Sequence, residues 1–441
     1  MRHFAVVAPP FVSHVRALEA LAGVLLGRGH RVSWIHQAEV RQLLRNPDIG
    51  FHAVGAATHP AGSLALTVKR AANPGGPLGL RRVIADVAAA TDMLCREAPA
   101  VLREQHVDCV IADQMEAAGG LLAEGLGLPC VSVACALPVN REPRVPLPVM
   151  PWGYALDTRG EQLNDGSTRV YDWLMRPHAR VIEAQARAFG IAPRSSLAQC
   201  LSPLLQISQT TTPFDFPRSL LPPHFHHVGP LRPPPEDQPL LDLLVQDGRP
   251  FVFASLGTLQ GGRFGLFRRI AKACRALDAQ LLLAHCDQLD AGQAAALRRE
   301  GATWVTGFAP QQAALARADA VVTHAGLNTV LDALAAGTPM LALPIAFDQP
   351  GVAARVVHVG AGLRLLPALA STGALQKALR RLLDEPAFAQ RANAIGVSVR
   401  EAGGAELAAD LVEAALHVQP LPVRAPPAAA PGFSRGPAYA A

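Results

Sequence analysis

Short runs of apolar and β-branched residues alternate along the chain with longer stretches in which apolar residues recur every three or four positions, and glycine or proline stands at most junctions. The first run, 4–8, is followed by a helical pattern at 15–26 that Gly27 and Gly29 stop, then by a second run at 31–35. That order is a strand, a crossover helix and a parallel strand. A strand at 109–112, a helix at 117–124 ending on Gly125 and Gly127, and a strand at 130–134 repeat it. Residues 230–250 are rich in proline, which removes backbone donors and favours extended chain, and they mark an interdomain linker. Beyond it the alternation restarts, with strands at 251–255, 280–284, 303–307, 320–323 and 340–344 and helices at 266–277, 311–317 and 328–336. The pattern predicts an α/β protein in which two doubly wound parallel sheets face each other across a cleft. Two first-half segments, 58–79 and 137–154, resist assignment to any element. They fit either mobile walls of a pocket or ordinary surface loops.

Composition narrows the setting. The chain has 441 residues, enough for two large domains. Half of it is hydrophobic and mean hydropathy is +0.20, which raises the question of a membrane span. The most apolar long stretch, 330–347, contains Asp332, Gly337, Pro339 and Pro344, so no transmembrane helix is expected. The N-terminal apolar run is broken by Pro9 and Pro10 and followed by Ser13 and His14, which suits a first strand rather than a secretory signal. Seven cysteines without a Cys-x-x-Cys pair read as reduced core thiols of a cytoplasmic protein. A net charge of +5, scattered rather than striped, argues against nucleic acid as a partner. The Pro- and Ala-rich stretch 419–441 lacks apolar period and is expected to be disordered.

In doubly wound sheets ligands gather outside the carboxyl ends of the strands, so the loops there carry the candidate chemistry. The strand at 320–323 runs into His324-Ala325-Gly326-Leu327-Asn328-Thr329 and then a helix. Unpaired backbone N–H groups and the positive end of the helix dipole make that junction an anion site, to which His324 can add a hydrogen bond or a charge. Ser255-Leu256-Gly257-Thr258 repeats the arrangement after the strand at 251–255, Gly257 letting the backbone approach and two hydroxyls donating to phosphate oxygens. Asp332, just over a turn into the following helix, can accept two ribose hydroxyls, while Asp348-Gln349 suits sugar hydroxyls and Phe308 offers a flat face to a base. In the first half no Gly-x-Gly-x-x-Gly appears, which argues against a dinucleotide oxidoreductase. His14, in the loop after the first strand, titrates near neutrality and suits a general base. On spacing alone it suits a helix-capping or solvent-facing histidine equally.

The order Phe308-Ala309-Pro310-Gln311, then His324 to Thr329, Asp332, Gly337-Thr338-Pro339, Pro344 and Asp348-Gln349 resembles the donor signature of the UDP-glycosyltransferase family. The resemblance implies two facing Rossmann-like domains of the GT-B type. It implies uracil on Phe308 beside Ala309, ribose at Gln311 and Asp332, phosphates at His324, Gly326, Asn328 and Thr329, and glucose at Asp348 and Gln349. Three positions depart from the plant pattern: Phe308 stands for Trp, Leu327 for Trp and Asp332 for Glu. The resemblance also implies His14 as catalytic base with Asp113 as its partner, and inversion to a β-glycoside. The domain layout that follows is 1–229 acceptor-binding, 230–250 linker, 251–390 UDP-sugar-binding, 391–418 helices returning to the N-terminal domain, and 419–441 tail. No Asp-x-Asp pair occurs, so neither metal nor other cofactor is expected beyond UDP-glucose as donor substrate. Stretches such as 131–148, 171–175 and 254–274 further resemble bacterial carotenoid glucosyltransferases of this family. That implies a hydrophobic hydroxylated acceptor, zeaxanthin, and leaves room for peripheral membrane contact. A macrolide or polyketide acceptor, a sugar-nucleotide epimerase or phosphorylase, and a non-catalytic lipid carrier are the alternatives.

Overall fold

The computed structural model describes residues 1–233 and 245–418. The middle of the expected linker, 234–244, and the expected disordered tail, 419–441, lie outside the described residues. Strands β1 (His3–Val7), β2 (Arg31–His36), β3 (Gly50–Ala53), β4 (Cys109–Asp113), β5 (Cys130–Ala134), β6 (Leu205–Ser208) and β7 (Phe225–His227) form one sheet in the order β3-β2-β1-β4-β5-β6-β7. A second sheet, in the order β10-β9-β8-β11-β12-β13, is built from β8 (Phe251–Ser255), β9 (Gln280–Ala284), β10 (Trp304–Thr306), β11 (Ala320–Thr323), β12 (Met340–Ala342) and β13 (Gly362–Arg364). Every neighbouring pair is parallel. Parallel strands are covered on both faces, so β1, β4, β5 and β8 are buried along their whole length, and each is apolar at all but one position rather than alternating.

Around the first sheet lie α1 (Val12–Gly27), α2 (Ser63–Ala72), α3 (Pro77–Glu104), α4 (Ala117–Leu126), α5 (Thr158–Leu174) and α6 (Arg176–Ala188). Around the second lie α7 (Gly257–Gln260), α8 (Phe264–Arg275), α9 (Ala291–Glu300), α10 (Gln311–Arg317), α11 (Leu327–Ala336), α12 (Gln349–His358), α13 (Thr372–Asp384) and α14 (Ala387–Arg400). The last helix, α15 (Gly404–Val418), crosses back to the first sheet. There Ala408, Ala409, Val412 and Leu416 share a core with Leu18, Leu21 and Leu25 of α1. Arg28, just past α1, pairs with Glu406, Asp410 and Glu413. Of the helices expected within 391–418 to return to the N-terminal domain, α15 does so, whereas α14 packs on α11 of the second sheet.

One of the two segments that resisted assignment is regular. Residues 58–79 hold α2 and the start of α3, and α2 meets α7 of the other domain. Its last residue, Ala72, accepts hydrogen bonds from Gln260 Nε2 at 3.0 Å and Arg263 Nη2 at 3.2 Å. Only Leu64 and Ala71 of α2 are buried, too few to print a helical apolar stripe. Residues 137–154 contain no helix or strand, only an isolated bridge between Glu142 and Val145. This segment is tied to the second domain: Gly351 N donates to Pro148 O at 3.0 Å, and Arg364 donates to Pro151 O.

The strand order reverses between β1 and β4 and between β8 and β11. The helices on the two sides of such a switch point leave toward opposite faces, which opens a crevice at the strand ends. Register levels those ends, Val7 pairing with Ala112 and Ser255 with Thr323. The two crevices meet: Phe11 stacks against Phe347 with ring centroids 5.9 Å apart, and Asn328 Nδ2 donates to Ser13 O at 3.4 Å.

Candidate active site

α1 begins at Val12, so His14 sits in its first turn rather than in the preceding loop. Its Nδ1 lies 2.7 Å from Oδ2 of Asp113, the last residue of β4. The other carboxylate oxygen, Oδ1, accepts from Met115 N at 2.8 Å, which holds the carboxylate in the plane it needs. With Nδ1 committed to Asp113, Nε2 is the nitrogen left to take a proton. Burial opposes charge on His14, but the Asp113 carboxylate, by charge and by hydrogen bond, and the charge of Asp348 outweigh it and raise the pKa above 6.5. Cys135, following β5, places its sulfur with the His14 and Asp113 ligand atoms inside 4.8 Å. Burial and the same Asp113 charge hold that thiol well above the usual cysteine range, so it stays protonated.

On the opposite wall, His324 follows β11 directly. Its ring fills space that two glycines leave open. A Cβ at Gly257, whose φ is +72°, would lie 2.6 Å from Cε1, and one at Gly326 would lie 2.5 Å from Nε2. Burial pushes the His324 pKa down to about 4. Of the two contributions open to it, charge and hydrogen bond, only the hydrogen bond survives at neutral pH. Gly326 caps α11, whose first-turn N–H groups point at the cleft with Asn328 and Thr329 among them. Ser255 ends β8 and its Oγ accepts from Gly257 N at 3.3 Å; Thr258 lies in α7, one residue beyond Gly257.

The structure brings Gln311 and Asp332 together, Gln311 Nε2 donating to Asp332 Oδ2 at 2.7 Å. Thr329 Oγ1 donates to Gln311 Oε1 at 3.3 Å, so its hydroxyl braces Gln311 rather than opening to the phosphate end. Phe308 stands 59% exposed beyond β10, next to partly buried Ala309. Asp348 reaches across the cleft, where Oδ2 accepts from Leu137 N at 3.3 Å. Burial raises the Asp348 pKa above the ordinary aspartate value, against the Leu137 amide and His14, which lower it. Gln349 is engaged in its own loop, Oε1 accepting from Ile345 N at 2.8 Å and Ala346 N at 2.9 Å.

Two residues of the site had no motif to announce them. Gln209, one residue past β6, donates through Nε2 to Asn328 Oδ1 at 3.3 Å and to Cys135 O at 2.8 Å. The strand-end rule would have found it, since it follows an apolar run. Arg232, in proline-rich text read as linker, reaches Asn328 and Asp332. Its signal was hidden because linker composition describes the backbone and says nothing of one side chain.

Among the described residues no helix is long and apolar enough to cross a membrane. Residues 94–399 match the family described as UDP-glucoronosyl and UDP-glucosyl transferase. A zeaxanthin glucosyltransferase of Pantoea ananas is 50% identical over 94% of this chain and 96% of its own. Another zeaxanthin glucosyltransferase, of Pseudescherichia vulneris, is 46% identical over 94% of this chain and 98% of its own. Among solved structures, a calicheamicin glycosyltransferase superposes with a TM-score of 0.71 at 22% identity, covering 95% of this chain and 98% of that one. At that identity the likeness carries the fold, two facing α/β domains of the GT-B type, and nothing of the substrate.

Proposed function

Since the chain belongs to the UDP-glucoronosyl and UDP-glucosyl transferase family, we propose that it transfers glucose from UDP-glucose to the ring hydroxyls of zeaxanthin, giving the mono- and then the di-β-glucoside. The observation that carries the chemistry is the His14–Asp113 pair at 2.7 Å, facing Asp348 and Asn328 across one cleft. The acceptor rests on the two zeaxanthin glucosyltransferases that match nearly the whole chain.

In this reading His14 Nε2 accepts the acceptor's hydroxyl proton as the oxygen attacks the anomeric carbon. The bond from that carbon to the diphosphate oxygen breaks on the opposite face, so configuration inverts. Asp113 holds the tautomer and stabilises the imidazolium as it forms. Charge develops on the departing UDP, where the α11 N-terminus, neutral His324 and the Ser255 hydroxyl serve as donors. Uracil lies on Phe308, ribose on Gln311 and Asp332, and the glucose hydroxyls on Asp348 with Gln349. No step calls on a metal, and activity is expected to persist in EDTA. Its full loss there, with rescue by Mn²⁺, overturns metal independence.

A long hydrophobic diol partitions into lipid, so the enzyme meets it as a cytoplasmic protein in peripheral contact with a membrane. Purified protein offered UDP-glucose with zeaxanthin should yield two products in sequence by mass, with UDP released only when acceptor is present. Turnover of a macrolide but not of zeaxanthin moves the assignment to the antibiotic branch. UDP release without acceptor removes it from the transferases.

A further inference from the structure

Arg232 stands three residues beyond Gly229, on the segment leading out of the first domain. Leu231 before it is buried, and its N–H donates to Gln209 Oε1 at 3.0 Å, so the arginine leaves from a fixed point. Its guanidinium lies along the first turn of α11. Nη1 donates to Asn328 Oδ1 at 3.2 Å and to Gln209 Oε1 at 3.2 Å, Nη2 to Asn328 O at 3.1 Å, and Nε and Nη2 to Asp332 Oδ1 at 3.3 Å each. Those ion-pair distances exceed the roughly 2.7–2.9 Å of a strong charge-assisted bond. Arg232 is therefore held by many partners and tightly by none.

The charge balance of the donor wall gives this arginine its meaning. A nucleoside diphosphate carries negative charge that grows as the sugar departs. Among the described residues, no other Arg or Lys is hydrogen-bonded or ion-paired to a side chain of the donor set. His324 is half-buried, its Nδ1 out of reach of solvent, and neutral at the same place. Without Arg232, only neutral donors and a helix end would meet two phosphates. Ribose hydroxyls need the Asp332 carboxylate that Arg232 shares with Gln311, and Asn328, at the phosphate end, is one turn away on the same helix.

We propose that Arg232 is a donor-binding residue supplied by the interdomain segment: ribose displaces its guanidinium from Asp332, and the freed guanidinium pairs with the diphosphate beside Asn328. The proposal rests on the donor site described under Proposed function. It also links the segment between the domains to the ligand in the cleft, because the residue that pairs with phosphate is carried by that segment. Arginine suits the task, since its planar fork stays charged at any physiological pH and matches phosphate geometry.

The test is equilibrium binding of UDP, UMP and uridine by calorimetry to the full-length protein and to Arg232→Met, Arg232→Ala and Arg232→Lys. Arg232→Met keeps the apolar stem and removes only the charge. UDP affinity should fall roughly 10–100-fold in Arg232→Met and Arg232→Ala, as expected for charge-assisted bonds to phosphate, and less in Arg232→Lys. Uridine affinity should hold or tighten, because Asp332 no longer has a competing cation. Its dependence on salt should be flat, while that of UDP should weaken in the variants. UDP and uridine affinities that fall by the same factor would make Arg232 a structural strut and overturn the proposal. So would UDP binding unchanged in Arg232→Met. A wild-type protein that binds neither UDP nor uridine removes the donor site itself, a result distinct from either.

Discussion

At the scale of single residues, the proposed base His14 and its partner Asp113 predict the pH behaviour of the reaction. The base must be neutral, and its pKa lies above 6.5 because Asp113 and Asp348 outweigh burial. The value of kcat/KM should therefore climb with pH through a pKa above 6.5. Asp113→Asn removes the main charge that favours the imidazolium, so the limb should move to lower pH while the plateau drops. His14→Ala should lower kcat by about 10²–10⁴ while leaving UDP affinity within error. Unchanged transfer would remove His14 as the base. Beneath Asp113, buried Glu116 accepts from Thr91 Oγ1 at 2.7 Å and Ala118 N at 3.0 Å, both on Oε1. Burial lifts its pKa to about 7. A carboxyl that holds its proton longer folded than unfolded stabilises the fold fully below the unfolded value near 4.5, and that contribution is lost as pH rises through about 7. Glu116→Gln keeps an acceptor for both donors and cannot ionise. It should melt like the wild type at pH 4.5 and be more stable at pH 8, by up to about 3 kcal/mol. A difference that does not grow with pH contradicts this.

Elements are joined across the cleft by a buried ion network. Arg355 on α12 donates through Nε to Asp215 Oδ1 at 2.7 Å, and both side chains are at most 1% exposed. Arg218 Nε donates to Glu142 Oε1 at 2.6 Å, carrying the network into segment 137–154. The Arg355 guanidinium also lies 4.3 Å from the Phe216 ring centroid. The helix that opens with Gln349, directly after Asp348, is thus braced against the segment that supplies the Leu137 amide. Removing one partner leaves an uncompensated buried charge, at a cost of about 3–5 kcal/mol. Asp215→Ala should lower the melting temperature accordingly, and UDP-glucose turnover should fall with it as Asp348 loses its seat. A melting temperature within a degree of wild type argues that the pair contributes little. Strands β1, β2, β4, β5 and β8 to β12 and helices α1, α4, α8, α10 and α11 were legible from periodicity to within a few residues, because burial on a regular element prints a period, whereas the short β3, β6, β7 and β13 and the long α3 were not read. Helix α5 printed none: Asn164 is its one buried residue, while Leu163, Val170 and Trp173 are 50–60% exposed. Nor did α2, which rests on α3 and on α7 of the other domain with only Leu64 and Ala71 buried.

For the whole molecule, the return of α15 binds the end of the second domain to the core of the first. Val412 and Leu416 lie at most 1% exposed among residues of α1 and β6. Val412→Asp buries an unpaired carboxyl there, and a loss of several kcal/mol is expected, read as an early unfolding transition in calorimetry. A single wild-type transition would show the helix to be dispensable to the first domain.

The sequence by itself determined the two strand-and-helix halves, the glycine-containing turn before α11, and the order of residues from Phe308 to Gln349 that resembles the family's donor signature. These are local facts: a period records which face is buried, and a loop after a strand lands at the sheet edge where ligands bind. The pairing of His14 with Asp113 across 99 residues was implied by resemblance, but only the tertiary structure gave its 2.7 Å contact, and only it decided that Asp348 answers to the Leu137 amide and that Arg232 lies on Asp332. Such meetings depend on strand order, register and the closing of one domain on the other. A side chain's reach across that gap leaves no period in the chain that bears it.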